Sequence, residues 1–175
     1  MATTKWVIDP THSDIGFKVK HLMISYVKGT FTNYEASIEG EDFSSSPLEV
    51  SIEAASISTH NPERDAHLKS ADFFDVEQYK FITFKSTSFT KVDDAYELEG
   101  LLTIKDVTKT VSLYVEYGGT NKDPWGNEKL AFEITGKINR KDFGLNWNAA
   151  LETGGVLVGE DVKIMVEVQF VKQVL

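Results

Sequence analysis

The sequence predicts an all-β protein, an eight-stranded antiparallel β-barrel with one short helical insert, on three observations. Apolar and polar residues alternate in runs along almost the whole chain. Short turn-forming pairs such as Asp93-Asp94, Lys105-Asp106 and Gly118-Gly119 separate the later runs. Helical signals are confined to one stretch near residues 61–70. So little helix cannot cover an open sheet, so the sheet must cover itself, either stacked as a sandwich or closed as a barrel. Glycines inside the runs, among them Gly100 and Gly136, allow the curvature of closure and favour the barrel.

The first run sets Ile15, Phe17 and Val19 against Gly16, Lys18 and Lys20. Val27, Gly29 and Phe31 continue the pattern, and Ala36 and Ile38 resume it after Asn33-Tyr34. Leu48, Val50, Ile52 and Ala54 alternate next, and then the phase slips to Ala55 and Ile57, which predicts a bulge near Ala54-Ala55. Asn61 can cap a helix, and Pro62 suits its first turn. That helix is too short to stand alone and must lean on the sheet. Ile82 and Phe84 open the next strand, and Tyr96, Leu98, Leu102 and Ile104 form the one after it. Gly100 within that run suits a coiled strand or a close packing neighbour. Val111 to Tyr117, Leu130 to Ile138 and Val162 to Phe170 complete the set. Gly154, Gly155 and Gly159 read as a turn before the last strand.

The 175 residues suit one domain, spanning 1–175, with a sizeable core. A formal net charge of -9 repels phosphate backbones and argues against a nucleic-acid partner. With no cysteine, the chain has no disulfide, thiolate metal site or cysteine nucleophile. The opening MATTKWVIDPTHS lacks the apolar core of a secretory leader, and no run reaches the ~18 apolar residues of a membrane span. A cytoplasmic protein without an integral membrane segment is therefore expected.

No GxSxG elbow, HExxH, Walker loop or GxGxxG is present, so neither an enzyme nor a cofactor is expected. His12, His21, His60 and His67 form no pair at metal-binding helical spacing, and no metal site is expected. The inward side of the alternation is Phe17, Val19, Phe31, Ile38, Phe84, Leu102, Ile104, Leu113, Phe132 and Ile134. An eight-stranded barrel is either packed solid by such side chains or wide enough for one slender ligand. Any ligand inside must be apolar, because nothing charged alternates inward. His12, Arg64, His67, Asn139 and Arg140 are candidates to meet a polar head at the rim.

Six stretches stand in order along the chain: WVIDPTHSDIGFKVKHL (6–22), VKGTF (27–31), RDAHLKSADFFDV (64–76) with FITFKS after it, GLLTIKDVTK (100–109), INRKDFGL (138–145) and VGEDVKI (158–164). Together they resemble the YceI-like family of lipid- and polyisoprenoid-binding proteins. Each is weak alone, and their order carries the signal. Asp106 stands where many relatives have glycine, and Asp tolerates a left-handed turn. The resemblance implies a lipocalin-like barrel whose interior holds a polyisoprenoid, an isoprenoid quinone or a fatty-acid-like lipid, for non-enzymatic transport or storage. Several members look dimeric, which makes a homodimer an expectation, and many look periplasmic. The rival function is a solid-cored interaction module acting through rim loops or a dimer face.

Overall fold

Asp9 and Pro10 break the first wall strand in two. In the computed structural model, which describes residues 4–149, 151 and 155–174, β1 (Thr4–Ile8) ends there in a short 3-10 turn, Pro10–His12. Asp9 caps that turn by accepting from Thr11 N, and Pro10 fits the first position, where no N–H is needed. β2 (Asp14–His21) then continues the wall. Two further strands are interrupted in the same way. β3 (Ser25–Phe31) and β4 (Tyr34–Glu39) meet at Thr32-Asn33, and β5 (Leu48–Glu53) and β6 (Ile57–Ser58) are separated by a 3-10 turn at Ala54–Ser56. The phase slip expected as a bulge is this turn, which buries both Ala54 and Ile57.

β7 (Phe81–Val92), β8 (Ala95–Ile104), β9 (Val107–Lys122), β10 (Glu128–Asn139) and β11 (Val158–Val174) follow as long meandering strands. Every neighbour is antiparallel. β11 closes the barrel by pairing with β1 at one end, Ile8 opposite Phe170, and with β2 beyond it, Asp14 opposite Glu167. Counting each broken strand as one gives a closed eight-stranded antiparallel barrel, which leaves only short edges exposed.

α1 (Pro62–Lys69) lies between β6 and β7 and packs against β6. Asn61 Oδ1 accepts from Arg64 N at 3.1 Å, Pro62 stands in its first turn, and Ser70 ends it. Gly154 lies outside the described residues. At the β8–β9 turn the left-handed residue is Lys105 (φ 60°), not Asp106.

Among the described residues the interior holds two packed clusters. Trp6, Ile38, Leu98, Leu130, Phe132 and Phe170 belong to the one at the end where β1 begins. Phe43, on a 3-10 turn after β4, inserts among Phe89, Tyr96, Tyr117 and Phe132, with ring centroids 4.8–5.6 Å away. These rings plug that end. The second cluster lies under α1 and includes Phe31, Ile57, Phe73, Ile104, Phe143 and Leu145.

Candidate functional site

Between the two clusters the barrel is hollow. A cavity of about 350 Å³ runs from Phe170 and Ile8 to Val158, Lys20 and His21 at the α1 end, and its wall is almost wholly apolar. Ile15, Ile52, Leu102 and Val111 touch both clusters and border this space. Phe17, Val19, Val27, Leu113, Ile164 and Val166 point inward yet are only half-buried. In a solid core they would be fully covered, so their remaining exposure is to the lumen.

Three glycines keep the lumen open. A Cβ on Gly29 would stand 2.4 Å from Phe17 Cζ, one on Gly100 2.4 Å from Phe84 Cζ, and one on Gly136 2.4 Å from Leu113 Cδ2. Each large side chain therefore rests against the bare backbone of a neighbouring strand, and its bulk stays off the axis. The close packing neighbour expected at Gly100 is the Phe84 ring.

The expected inward residues divide by height. Phe17, Val19, Phe31, Phe84, Leu102, Ile104, Leu113 and Ile134 all border the cavity. Ile38 and Phe132 also point inward but sit in the aromatic plug, beyond the cavity floor. Parity gives the direction of a side chain, not its height, and Phe43 fills that level.

The polar candidates divide too. Arg64, His67 and Arg140 reach the cavity. Arg64 donates from Nε to Thr59 Oγ1 and from Nη2 to Thr59 O, both at 2.8 Å. Asp65 Oδ1 accepts from the same Thr59, from N at 2.8 Å and Oγ1 at 2.5 Å. His67 Nε2 donates to Asp72 Oδ2 at 2.9 Å, and its ring stands edge-on to Trp147 and Phe73. Arg140 is 3 % exposed and donates to four carbonyls: Leu145 (2.6 Å), Gly159 (2.8 Å), Trp147 (2.9 Å) and Val158 (3.3 Å). Burial pulls its pKa down, and Glu160 partly opposes that. With most of its five donors used in this way, Arg140 chiefly ties the segment before β11 to the barrel end.

His12 and Asn139 do not reach the cavity. Asp9 captures His12 Nδ1 at 2.8 Å on the exposed break between β1 and β2. Asn139 Oδ1 accepts from Lys141 N at 2.9 Å and caps the short turn Arg140–Phe143. Sequence reasoning missed the β11 wall, Val162, Ile164 and Val166, although these alternate in the same phase as residues it named. It also missed Leu68 and Trp147, which cover the cavity from the α1 end. No parity signal exists for side chains outside strands.

The comparisons agree with this architecture. The YceI-like domain model matches residues 6–170. UPF0312 protein SA2479 of Staphylococcus aureus strain N315 is 41% identical over 170 residues, covering 95% of this chain and 97% of the relative. The YCEI protein of Campylobacter jejuni is 38% identical with a TM-score of 0.75, over 94% of this chain and 96% of that one. Burkholderia cenocepacia BcnA shares the fold at 20% identity and a TM-score of 0.80, over 93% and 98% of the two chains. A polyisoprenoid binding domain from Saccharophagus degradans shares it at 14% identity and a TM-score of 0.68, over 96% and 98%. With a match that runs from Trp6 to Phe170 and relatives above 40% identity over almost their full length, the chain belongs to the YceI-like domain family.

Proposed function

We propose that this protein binds one long-chain apolar molecule, an isoprenoid or fatty-acyl-type lipid, inside the barrel and carries it without changing it chemically. The observation that carries this reading is the ring of inward, half-buried apolar side chains around a void of about 350 Å³. On β11 the wall from Val162 to Phe170 covers ~26 Å of strand, or roughly 20 Å along the axis at the usual tilt. A volume of that size spread over that length suits a single slender chain. Each CH₂ buried contributes about 0.8 kcal/mol, and the lost chain entropy offsets part of it, so selectivity for length should be modest. The polar head would lie near Arg64 and His67 at the α1 end.

The engagement of the polar groups supports a non-enzymatic role. Asp65 and Arg64 both serve Thr59, and Arg140 serves backbone carbonyls. His12 stands apart from them on the outer wall. The shared fold with a polyisoprenoid binding domain supports the ligand class. The test is titration with a fluorescent long-chain fatty acid, comparing the wild-type chain with Ile164→Trp, which fills the lumen. One probe per wild-type chain and weak or no binding to the folded variant support the reading. Equal binding to both would place the probe elsewhere and refute it.

A further inference from the structure

The hairpin joining β2 and β3 ends in an unusual tip. Leu22, Met23 and Ile24 are 41 %, 52 % and 84 % exposed. Leu22 and Met23 take left-handed backbone (φ 54° and 64°) at the centre of the turn that Ile24 N closes on His21 O, positions that favour Asn-Gly. The turn therefore carries large apolar side chains at a conformational cost, and the barrel does not bury them. The tip is held in place, since Leu22 N donates to Leu157 O at 2.9 Å. Exposed Val156 lies on that bracing segment.

Below the tip the outer wall is banded by charge. Lys137, Lys163, Lys18 and Lys28 stand directly opposite one another on β10, β11, β2 and β3. Like charges facing one another across strands destabilise a sheet. Among the described residues only Lys137 of the four has an ion pair, a 3.9 Å contact to Asp161. Glu160, the carboxylate next to it, is held by Lys141 at 2.8 Å. Lys18 and Lys163 also stand 4.8 and 5.1 Å from the Tyr26 ring. The Tyr26 phenol is drawn below its ordinary pKa, first by the Lys163 hydrogen bond and then by the charges of Lys163, Lys20 and Lys18. Farther from the tip, Glu116, Glu133, Glu167 and Asp14 form the opposite row on β9, β10, β11 and β2. On a chain of net charge -9, positive charge is thus gathered beside an apolar tip, at the end where the cavity reaches Lys20 and His21.

We infer that the β2–β3 end of the barrel docks on an anionic lipid bilayer, with Leu22, Met23 and Ile24 in the interfacial layer and the lysine row on the headgroups. Apolar side chains beside a basic face are the combination that holds a protein at such an interface, while the acidic row keeps the rest of the wall off it. Docking in this pose sets the cavity's α1 end near the bilayer. The use of that pose for loading a chain rests on the proposed lipid-carrier role, but the docking itself stands on the surface alone.

The experiment is flotation with vesicles of phosphatidylglycerol and phosphatidylcholine, against phosphatidylcholine alone, at low and high salt. The wild-type chain should float with the anionic vesicles only, and high salt should release it. Each of Lys18→Gln and Lys163→Gln should weaken partitioning by roughly fivefold. Because the chain has no cysteine, Ile24→Cys can carry an environment-sensitive dye, whose emission should shift to the blue on anionic vesicles. Equal flotation on neutral vesicles, indifference to salt and lysines, or dye emission unchanged from water would overturn the inference. So would self-association abolished by Ile24→Asp without any flotation, which would make the tip a contact between copies. Long-chain probe binding measured on the same Ile24→Asp protein should be unchanged, so failure of docking and failure of the cavity reading are separable.

Discussion

The ring of Phe17 on β2 lies over Gly29 of β3, the residue directly paired with it, where any Cβ would stand 2.4 Å from Cζ. Phe17 is thereby a wall residue and not a plug, although it is a large inward ring like Phe132. Gly29→Ala should force that ring toward the axis. The expected result is a loss of about 1–3 kcal/mol in urea unfolding together with at least tenfold weaker long-chain probe binding. Adding Phe17→Leu should restore binding, which a general defect of folding would not allow.

Phe43 sets the floor of the cavity from outside any strand, packed against Phe89, Tyr96, Tyr117 and Phe132. Phe43→Ala should cost about 3 kcal/mol of stability by emptying the plug. It should also deepen the lumen, so that longer acyl probes gain affinity relative to shorter ones. Comparing a series of chain lengths on both proteins measures the shift.

The sequence pattern revealed the barrel because alternation is a local property, set residue by residue along each strand. For the same reason eight of the residues it named inward border the cavity. It could not separate Ile38 and Phe132 from Phe84 and Leu113, because height along the axis depends on register and on which loop folds inward. Phe43 sits in the polar stretch EDFSSS, which reads as surface. Asn139 and His12 were readable only as polar residues near strand ends. One is spent as a helix cap, and the other on a carboxylate three residues away. The strand breaks at Asp9-Pro10 and Ala54–Ser56 left traces in the pattern, a proline and a change of phase, without showing that each wall strand continues beyond its break.

Arg140 ties four carbonyls of the segment between Leu145 and Gly159. Its replacement by Met should leave those carbonyls short of donors and cost about 3 kcal/mol or more in chemical denaturation. Lysine keeps the charge but not the planar fork, so Arg140→Lys should recover less than half of that loss. Hydrogen exchange should rise most at residues 145–149 and 157–159.

Asp9 joins β10 to the break after β1 through Lys129 Nζ at 2.9 Å. Burial raises its pKa, but hydrogen bonds from Thr11, Lys129 and His12 outweigh that and hold it well below the usual carboxylate range. A group with a depressed folded pKa adds stability above its unfolded value of about 3.9, and that stability is lost as pH falls toward the folded value. The urea midpoint should therefore fall as pH drops below about 5. Asp9→Asn should lower the midpoint at neutral pH and flatten its fall in acid. An equally steep acid decline in the variant would assign the effect to other carboxylates.

Native mass spectrometry of protein purified without detergent tests the hollow barrel most directly, before and after challenge with a polyprenyl lipid. The expected spectrum shows one long-chain adduct per chain in at least one of the two samples, released by organic extraction and absent from Ile164→Trp. A bare chain mass in both samples, with the fold intact, would contradict a lipid-holding lumen.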